Sequence, residues 1–116
     1  MTRLAAIALL GMLAGAVLGA APTQYGYRVL EQRPLPRDNF VQGLEFDGDT
    51  LLVGTGQYGQ SRIRRYAFPA MTLLAEQRLP PRLFGEGITR YGDRIFQLTW
   101  RAGFGVAWDA TELEPL

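Results

Sequence analysis

The chain has 116 residues, with 12 basic and 11 acidic side chains, no cysteine and no histidine. Every basic residue is an arginine. These absences exclude a disulfide framework, a Cys/His zinc site, a His-dependent Ser or Cys nucleophile, and lysine Schiff-base or P-loop chemistry. Proton transfer near neutral pH falls to Asp or Glu.

Met1-Thr2-Arg3 supplies one positive charge, and Leu4 to Leu18 is an unbroken apolar run ending in Gly19, Ala20 and Ala21 before Pro22. Charge, apolar run and small residues in that order predict a secretory signal peptide over residues 1–21. The run is short for a membrane span of about 20 residues, so no stable membrane anchor is expected. There is no Cys to carry a lipid. Cleavage is expected between Gly19 and Pro22, placing the mature chain in the periplasm or outside the cell. Losing Arg3 leaves equal numbers of arginines and acids, a balance that gives no electrostatic reason for a nucleic-acid partner.

Pro34, Pro36 and Asp38 then mark an extended lead-in segment. Leu44-Glu45-Phe46 and Leu51-Leu52-Val53 flank Asp47-Gly48-Asp49, a hairpin signal because Gly supplies positive φ. Arg62-Ile63-Arg64-Arg65-Tyr66 reads as a half-buried strand with the three arginines on a solvated face. Phe68-Pro69-Ala70-Met71 turns into Leu73-Leu74-Ala75. Ile88-Thr89-Arg90 and Ile95-Phe96-Gln97-Leu98 flank a second hairpin turn at Tyr91-Gly92-Asp93. No amphipathic helix follows residue 22. The fold class is all-β.

Residues 40–56 and 84–100 align without a gap, 44 positions apart. Phe40/Phe84, Gly43/Gly87, Gly48/Gly92, Asp49/Asp93 and Thr55/Thr99 are identical, and Leu44/Ile88 and Leu51/Ile95 are conservative pairs. A β repeat of that length matches one four-stranded propeller blade of about 40–45 residues. Residues 22–116 are therefore expected to form an incomplete β-propeller, with repeat units starting near 40 and 84. Propellers close with about four to eight blades, so two units imply a longer natural product or a remnant.

Four blocks carry a family resemblance: Phe40-Val-Gln-Gly-Leu44, Thr55-Gly-Gln-Tyr-Gly-Gln-Ser61, Phe84-Gly-Glu-Gly-Ile88 and Gln97-Leu-Thr-Trp100. In this order and spacing they resemble the plant and bacterial glutaminyl-peptide cyclotransferases. The resemblance runs from about Tyr27 to Leu116 and covers only the first part of a family member. It implies the first blades of a five-bladed propeller whose active site lies at one end of the central channel. It further implies an acyltransferase without cofactor, acting on peptides or proteins with N-terminal Gln and releasing ammonia as pyroglutamate forms. By position Glu86 corresponds to the catalytic glutamate, and Phe40, Gln42, Phe84 and Trp100 to the substrate pocket. Further Asn, Lys and Trp site residues of the family have no counterpart here. Arg37, Val41 and Val53-Gly54 depart from the usual His, Thr and Glu-Ser.

The residues support that assignment independently. Gln42 and Glu86 are repeat equivalents, so blade symmetry sets them side by side at the channel mouth. Cyclisation needs a proton removed from the attacking α-amine and one delivered to departing ammonia, which a single carboxyl group can do. Gly85 and Gly87 let substrate approach Glu86, while Phe84 and Trp100 exclude water. Gln42 is placed to hydrogen-bond the reacting amide or amine. Glu45 is read as an outer-face residue because its repeat partner is Thr89, and Asp47-Gly48-Asp49 as a turn rather than a metal site. The rival readings are a non-catalytic periplasmic propeller that binds a ligand, and a decayed gene fragment; ammonia release from a Gln-initiated peptide separates the first from an enzyme.

Overall fold

A computed structural model of the protein describes residues 21–116; the signal peptide expected over residues 1–21 lies almost wholly outside the described residues. Residues 21–30 are exposed and without regular secondary structure. From Glu31 onward the chain forms one compact unit built from two antiparallel sheets. The first sheet contains β1 (Val41–Asp47), β2 (Thr50–Thr55), β3 (Arg62–Ala67) and β4 (Thr72–Arg78) in that order. The second contains β5 (Gly85–Tyr91), β6 (Arg94–Thr99) and β7 (Val106–Asp109), again in chain order. The described residues contain strands and turns and no helix, as the alternating pattern and Gly-containing turns predict.

The 44-residue repeat reaches the backbone. Strands β1 and β5, β2 and β6, and β3 and β7 each begin 44 residues apart. So do the left-handed residues: Gly48 and Gly92 (φ 62° and 63°), Gln57 and Arg101 (89° and 62°), and Gly59 and Gly103 (74° and 78°). Gly48 opens the two-residue turn joining β1 to β2 and Gly92 that joining β5 to β6, where an L side chain would be strained. In its pairing with β6 the offset of β7 is already 42: Asp109 faces Arg94 as Ala67 faces Thr50, and Trp108 faces Ile95 as Tyr66 faces Leu51. Met71 N donates to Ala67 O at 2.7 Å and Leu113 N to Asp109 O at 3.0 Å. The bridge between Trp108 and Pro115 then takes the place that the Tyr66–Leu73 pair holds in the first sheet.

The two sheets pack face to face over one apolar core. Leu52 and Ile63 of the first sheet meet Ile95 and Trp108 of the second, with Leu79, Leu83 and Leu113 from the loops. Burial of such side chains stabilises by roughly 1.5–3 kcal/mol each. On the far side of the first sheet Leu51, Val53 and Tyr66 pack with Leu35 and Met71. Alternation along β6 sends Ile95 and Gln97 inward and leaves Phe96 and Leu98 exposed.

Two sequence expectations are corrected here. The arginines of β3 are not a solvated face: Arg64 is buried, and Arg62 and Arg65 are largely covered. Arg64 Nε donates to Glu76 at 2.6 Å and its Nη2 to Asp38 at 2.9 Å, while Arg62 Nη1 reaches Asp38 at 2.8 Å. Arg65 lies between the sheets, where it donates to the carbonyls of Ala110 and Thr111. Partners brought in from the lead-in segment, β4 and the loop after β7 make these burials tolerable. Glu45 likewise faces the second sheet rather than solvent, accepting the Arg90 backbone N–H at 3.0 Å.

Candidate functional site

Phe40 and Phe84 stand at the threshold of β1 and β5. Gly56 N donates to Phe40 O at 2.8 Å, and its repeat equivalent Trp100 N donates to Phe84 O at 2.9 Å. Both hairpins are therefore closed by the same hydrogen bond at the end away from their turns. Immediately inside that bond each pairing register slips. Val41 pairs with Thr55 and Gly43 with Gly54, which leaves Gln42 unpaired. Gly85 pairs with Thr99 and Ile88 with Gln97, which leaves Glu86 and Gly87 unpaired. Bulges of this kind bend a strand and re-aim its side chains, and they recur beside active sites.

The two bulges are neighbours. A Cβ built on Gly43 would stand 2.6 Å from Ile88 N and 3.2 Å from the Gly87 carbonyl carbon, so β1 and β5 run in close contact at this level. A Cβ on Gly54 would stand 2.9 Å from Glu86 O. Here lies the role of the Val53-Gly54 pair. Val53 is buried in the apolar cluster with Leu51 and Tyr66, and Gly54 leaves the room that Glu86 needs.

The structure brings the three predicted aromatic residues into one cluster. Phe84 is buried at its centre, with edge-on contacts to Phe40 (6.1 Å between ring centroids) and Trp100 (5.4 Å). Gln42 lies with Phe84 against Gly56, whose hypothetical Cβ would lie 2.3 Å from Phe84 Cε1 and 3.0 Å from Gln42 Cγ. Glu86 and Gln42 are both half-buried, and among the described residues neither side chain forms a hydrogen bond. No group of three His, Cys, Asp or Glu side chains among the described residues is arranged to hold a metal ion.

Sequence reasoning missed three supporting residues. Tyr58 packs edge-on against Phe84 at 5.5 Å. Ser61, buried, accepts the Gly85 N–H at 2.9 Å and donates to Gln57 O at 2.8 Å. Gln97, also buried, accepts from Trp108 Nε1 at 3.2 Å and donates to Arg62 O at 3.3 Å. Gln97 was open to detection as a polar residue at an inward position of β6, and Tyr58 and Ser61 lie within the Thr55–Ser61 block.

A cavity of about 480 Å³ lies elsewhere, lined by Leu79, Leu83, Val106 and Trp108 with Arg78 and Arg82 at its edge. It contains no carboxylate to move a proton.

Comparison with known proteins gives two matches. The family model described as glutamine cyclotransferase matches residues 3–116. Glutaminyl-peptide cyclotransferase of Arabidopsis thaliana is 34% identical over 89 residues, which cover 76% of this chain and 28% of that protein. The chain thus spans little more than a quarter of that relative's length.

Proposed function

This chain belongs to the glutamine cyclotransferase family, and on that footing we propose that it is part of a glutaminyl-peptide cyclotransferase. The family's enzymes are acyltransferases, and the proposed reaction converts N-terminal Gln of a peptide or protein to pyroglutamate. The observation that carries the reading is the pair of equivalent bulges. They leave an amide, Gln42, and a carboxylate, Glu86, at unpaired positions of β1 and β5, each two residues after one of the clustered phenylalanines Phe40 and Phe84.

In the proposed mechanism the substrate's α-amine nitrogen attacks its own side-chain amide carbon. Glu86 takes a proton from that nitrogen and returns one to the leaving amide nitrogen. The C–N bond breaks and ammonia departs. Gln42 hydrogen-bonds the amide and holds the folded conformer, and positioning contributes strongly because the reaction is intramolecular. Phe40, Phe84 and Trp100 bound the pocket and exclude water.

The proposal includes a β-propeller. The second sheet repeats the first and covers one face of it, and its own outward face carries Phe96 and Leu98 exposed. Further sheets of the same kind would cover that face and complete the pocket. The two described sheets alone leave the site open, so a polypeptide of these 116 residues is expected to be inactive. Export to the periplasm or beyond by a signal peptide is part of the same proposal.

The test is ammonia release from a Gln-initiated peptide by a protein that carries the further sheets. Absence of release, with folding verified, refutes the enzyme and favours a ligand-binding propeller.

A further inference from the structure

The rim of the site carries a cation that the cyclisation chemistry does not use. Arg101 directly follows Trp100 in the β6–β7 loop, and its guanidinium carbon lies 4.6 Å from the centre of the Trp100 ring. The residue is exposed and holds φ at 62°, the left-handed region that disfavours a side chain. Its repeat equivalent Gln57 holds a positive φ as well but bears no charge. The fold therefore demands this backbone in both loops, and the positive charge is particular to the loop beside Trp100.

Arg101 also differs from the arginines of β3 and β5. Arg62, Arg64, Arg65 and Arg90 each have a carboxylate within ion-pair distance. Arg101 has none among the described residues. The guanidinium lies over the Trp100 ring, and among the described residues its N–H groups enter no ion pair, which leaves them available to a carboxylate, the partner an arginine can bind in bidentate fashion.

Reach sets where that carboxylate would sit. The two centre distances, 5.4 Å from Phe84 to Trp100 and 4.6 Å from Trp100 to the cation, bound its separation from the Phe84 ring. The bound is about 10 Å, which an extended peptide crosses in about three residues. We infer that Arg101 selects peptides with a carboxylate on the second or third residue, counting the N-terminal Gln bound beside Glu86 as the first. The carboxylate belongs either to an acidic side chain or to the free C-terminus of a short peptide. A basic side chain at the same position is rejected. This inference rests on the proposed peptide-binding role of the site.

Binding to the 116-residue chain tests it without requiring turnover. Trp108 is buried and Trp100 is about half exposed, so ligand-induced changes in tryptophan emission report on Trp100. The probes are Gln-Glu-Ala-amide, Gln-Gln-Ala-amide, Gln-Lys-Ala-amide, and Gln-Ala-Ala with a free or amidated C-terminus. At low salt the Glu peptide should bind about three- to fivefold tighter than its Gln isostere, the scale of an exposed ion pair, with the Lys peptide weakest. The free-acid and amide pair reveals whether a C-terminal carboxylate serves as well. Arg101→Gln should abolish the discrimination and Arg101→Lys should restore part of it. Equal binding of acidic and neutral peptides, undiminished discrimination in Arg101→Gln, or no binding of any probe would overturn the inference. Ala-Glu-Ala-amide separates the two readings. If it binds as well as Gln-Glu-Ala-amide and still depends on Arg101, carboxylate selection stands and the glutamine reading fails. If Gln is required and charge is ignored, the glutamine reading stands and the selection fails.

Discussion

The hydroxyl of Ser61 accepts the backbone N–H of Gly85 at 2.9 Å, so a buried side chain of the β2–β3 loop fixes the first residue of the strand that carries Glu86. The same hydroxyl donates to Gln57 O, one residue before Tyr58 packs on Phe84. Ser61→Ala leaves a buried N–H without a partner, at an expected cost of about 1–3 kcal/mol. Urea unfolding of wild type and variant measures this directly. A variant with unchanged midpoint and slope would show that the bond contributes nothing.

Glu86→Gln should keep the fold and lose cyclisation in a protein carrying the further sheets. The amide is nearly isosteric with the acid but cannot exchange the proton that amine attack and ammonia departure require. The expected loss is about 10²–10⁴-fold, the usual scale of general acid–base catalysis. Gln42→Ala should cost less, since positioning is lost and the proton path remains. Ammonia release from a Gln-initiated peptide, compared across the three proteins, ranks them. Normal turnover by Glu86→Gln would exclude the carboxylate from the mechanism.

Gly54→Ala should destabilise the contact between β1–β2 and β5. The new Cβ would fall 2.6 Å from Ile88 Cγ2 and 2.9 Å from Glu86 O, and only movement of β5 relieves the second contact. Overpacking of this kind costs about 1–3 kcal/mol. Thermal unfolding checks the stability. An unchanged melting temperature would mean that β5 shifts freely, contrary to the close approach described.

Asp38 gives the chain an acid-sensitive fastening. Hydrogen bonding by Arg64, against a desolvation penalty and helped by Arg62, lowers its carboxyl from 3.8 to about 2. A depressed folded-state value means stability that is present in full above the ordinary value and lost as pH falls through the folded one. The stability difference between wild type and Asp38→Asn should therefore be constant above pH 4 and vanish as pH drops towards 2. Urea midpoints at pH 7, 3 and 2 trace it. Because Asp38 is half exposed, added salt should shrink the difference. A difference that grew on acidification would contradict the assignment.

Much of the strand framework is legible in the residues because turn chemistry is local. Gly48 and Gly92 announce their hairpins through the positive φ the turns require, and the gapless alignment by itself matches β1 to β5 residue for residue. Phe40, Phe84 and Trp100 are legible as a group for the same reason, since the repeat places Phe84 and Trp100 at the two ends of one closing bond. What stays hidden depends on partners distant in sequence. Periodicity assigns Arg64 to a strand but says nothing of Asp38 and Glu76, 26 and 12 positions away, which make its burial possible. For Glu45 the repeat misleads, because its partner Thr89 points to an outer face. A repeat preserves backbone position, not which sheet lies opposite.

The two sheets meet through unlike faces. Leu52 and Ile63 look towards the second sheet, Ile95 and Trp108 look back, and the contact has no two-fold axis to close it. On the rear of the first sheet Leu44 and Phe46 are exposed opposite Val53 and Leu51, and on the front of the second Phe96 and Leu98 are exposed. A polypeptide of these 116 residues made alone therefore carries two unlike apolar faces, the rear one covered in part by Leu35 and Met71 and the front one open. Copies should add end to end into open-ended polymers, with light scattering rising with concentration. A charge on the front face, as in Leu98→Glu, should cap growth while leaving each molecule's own two sheets together.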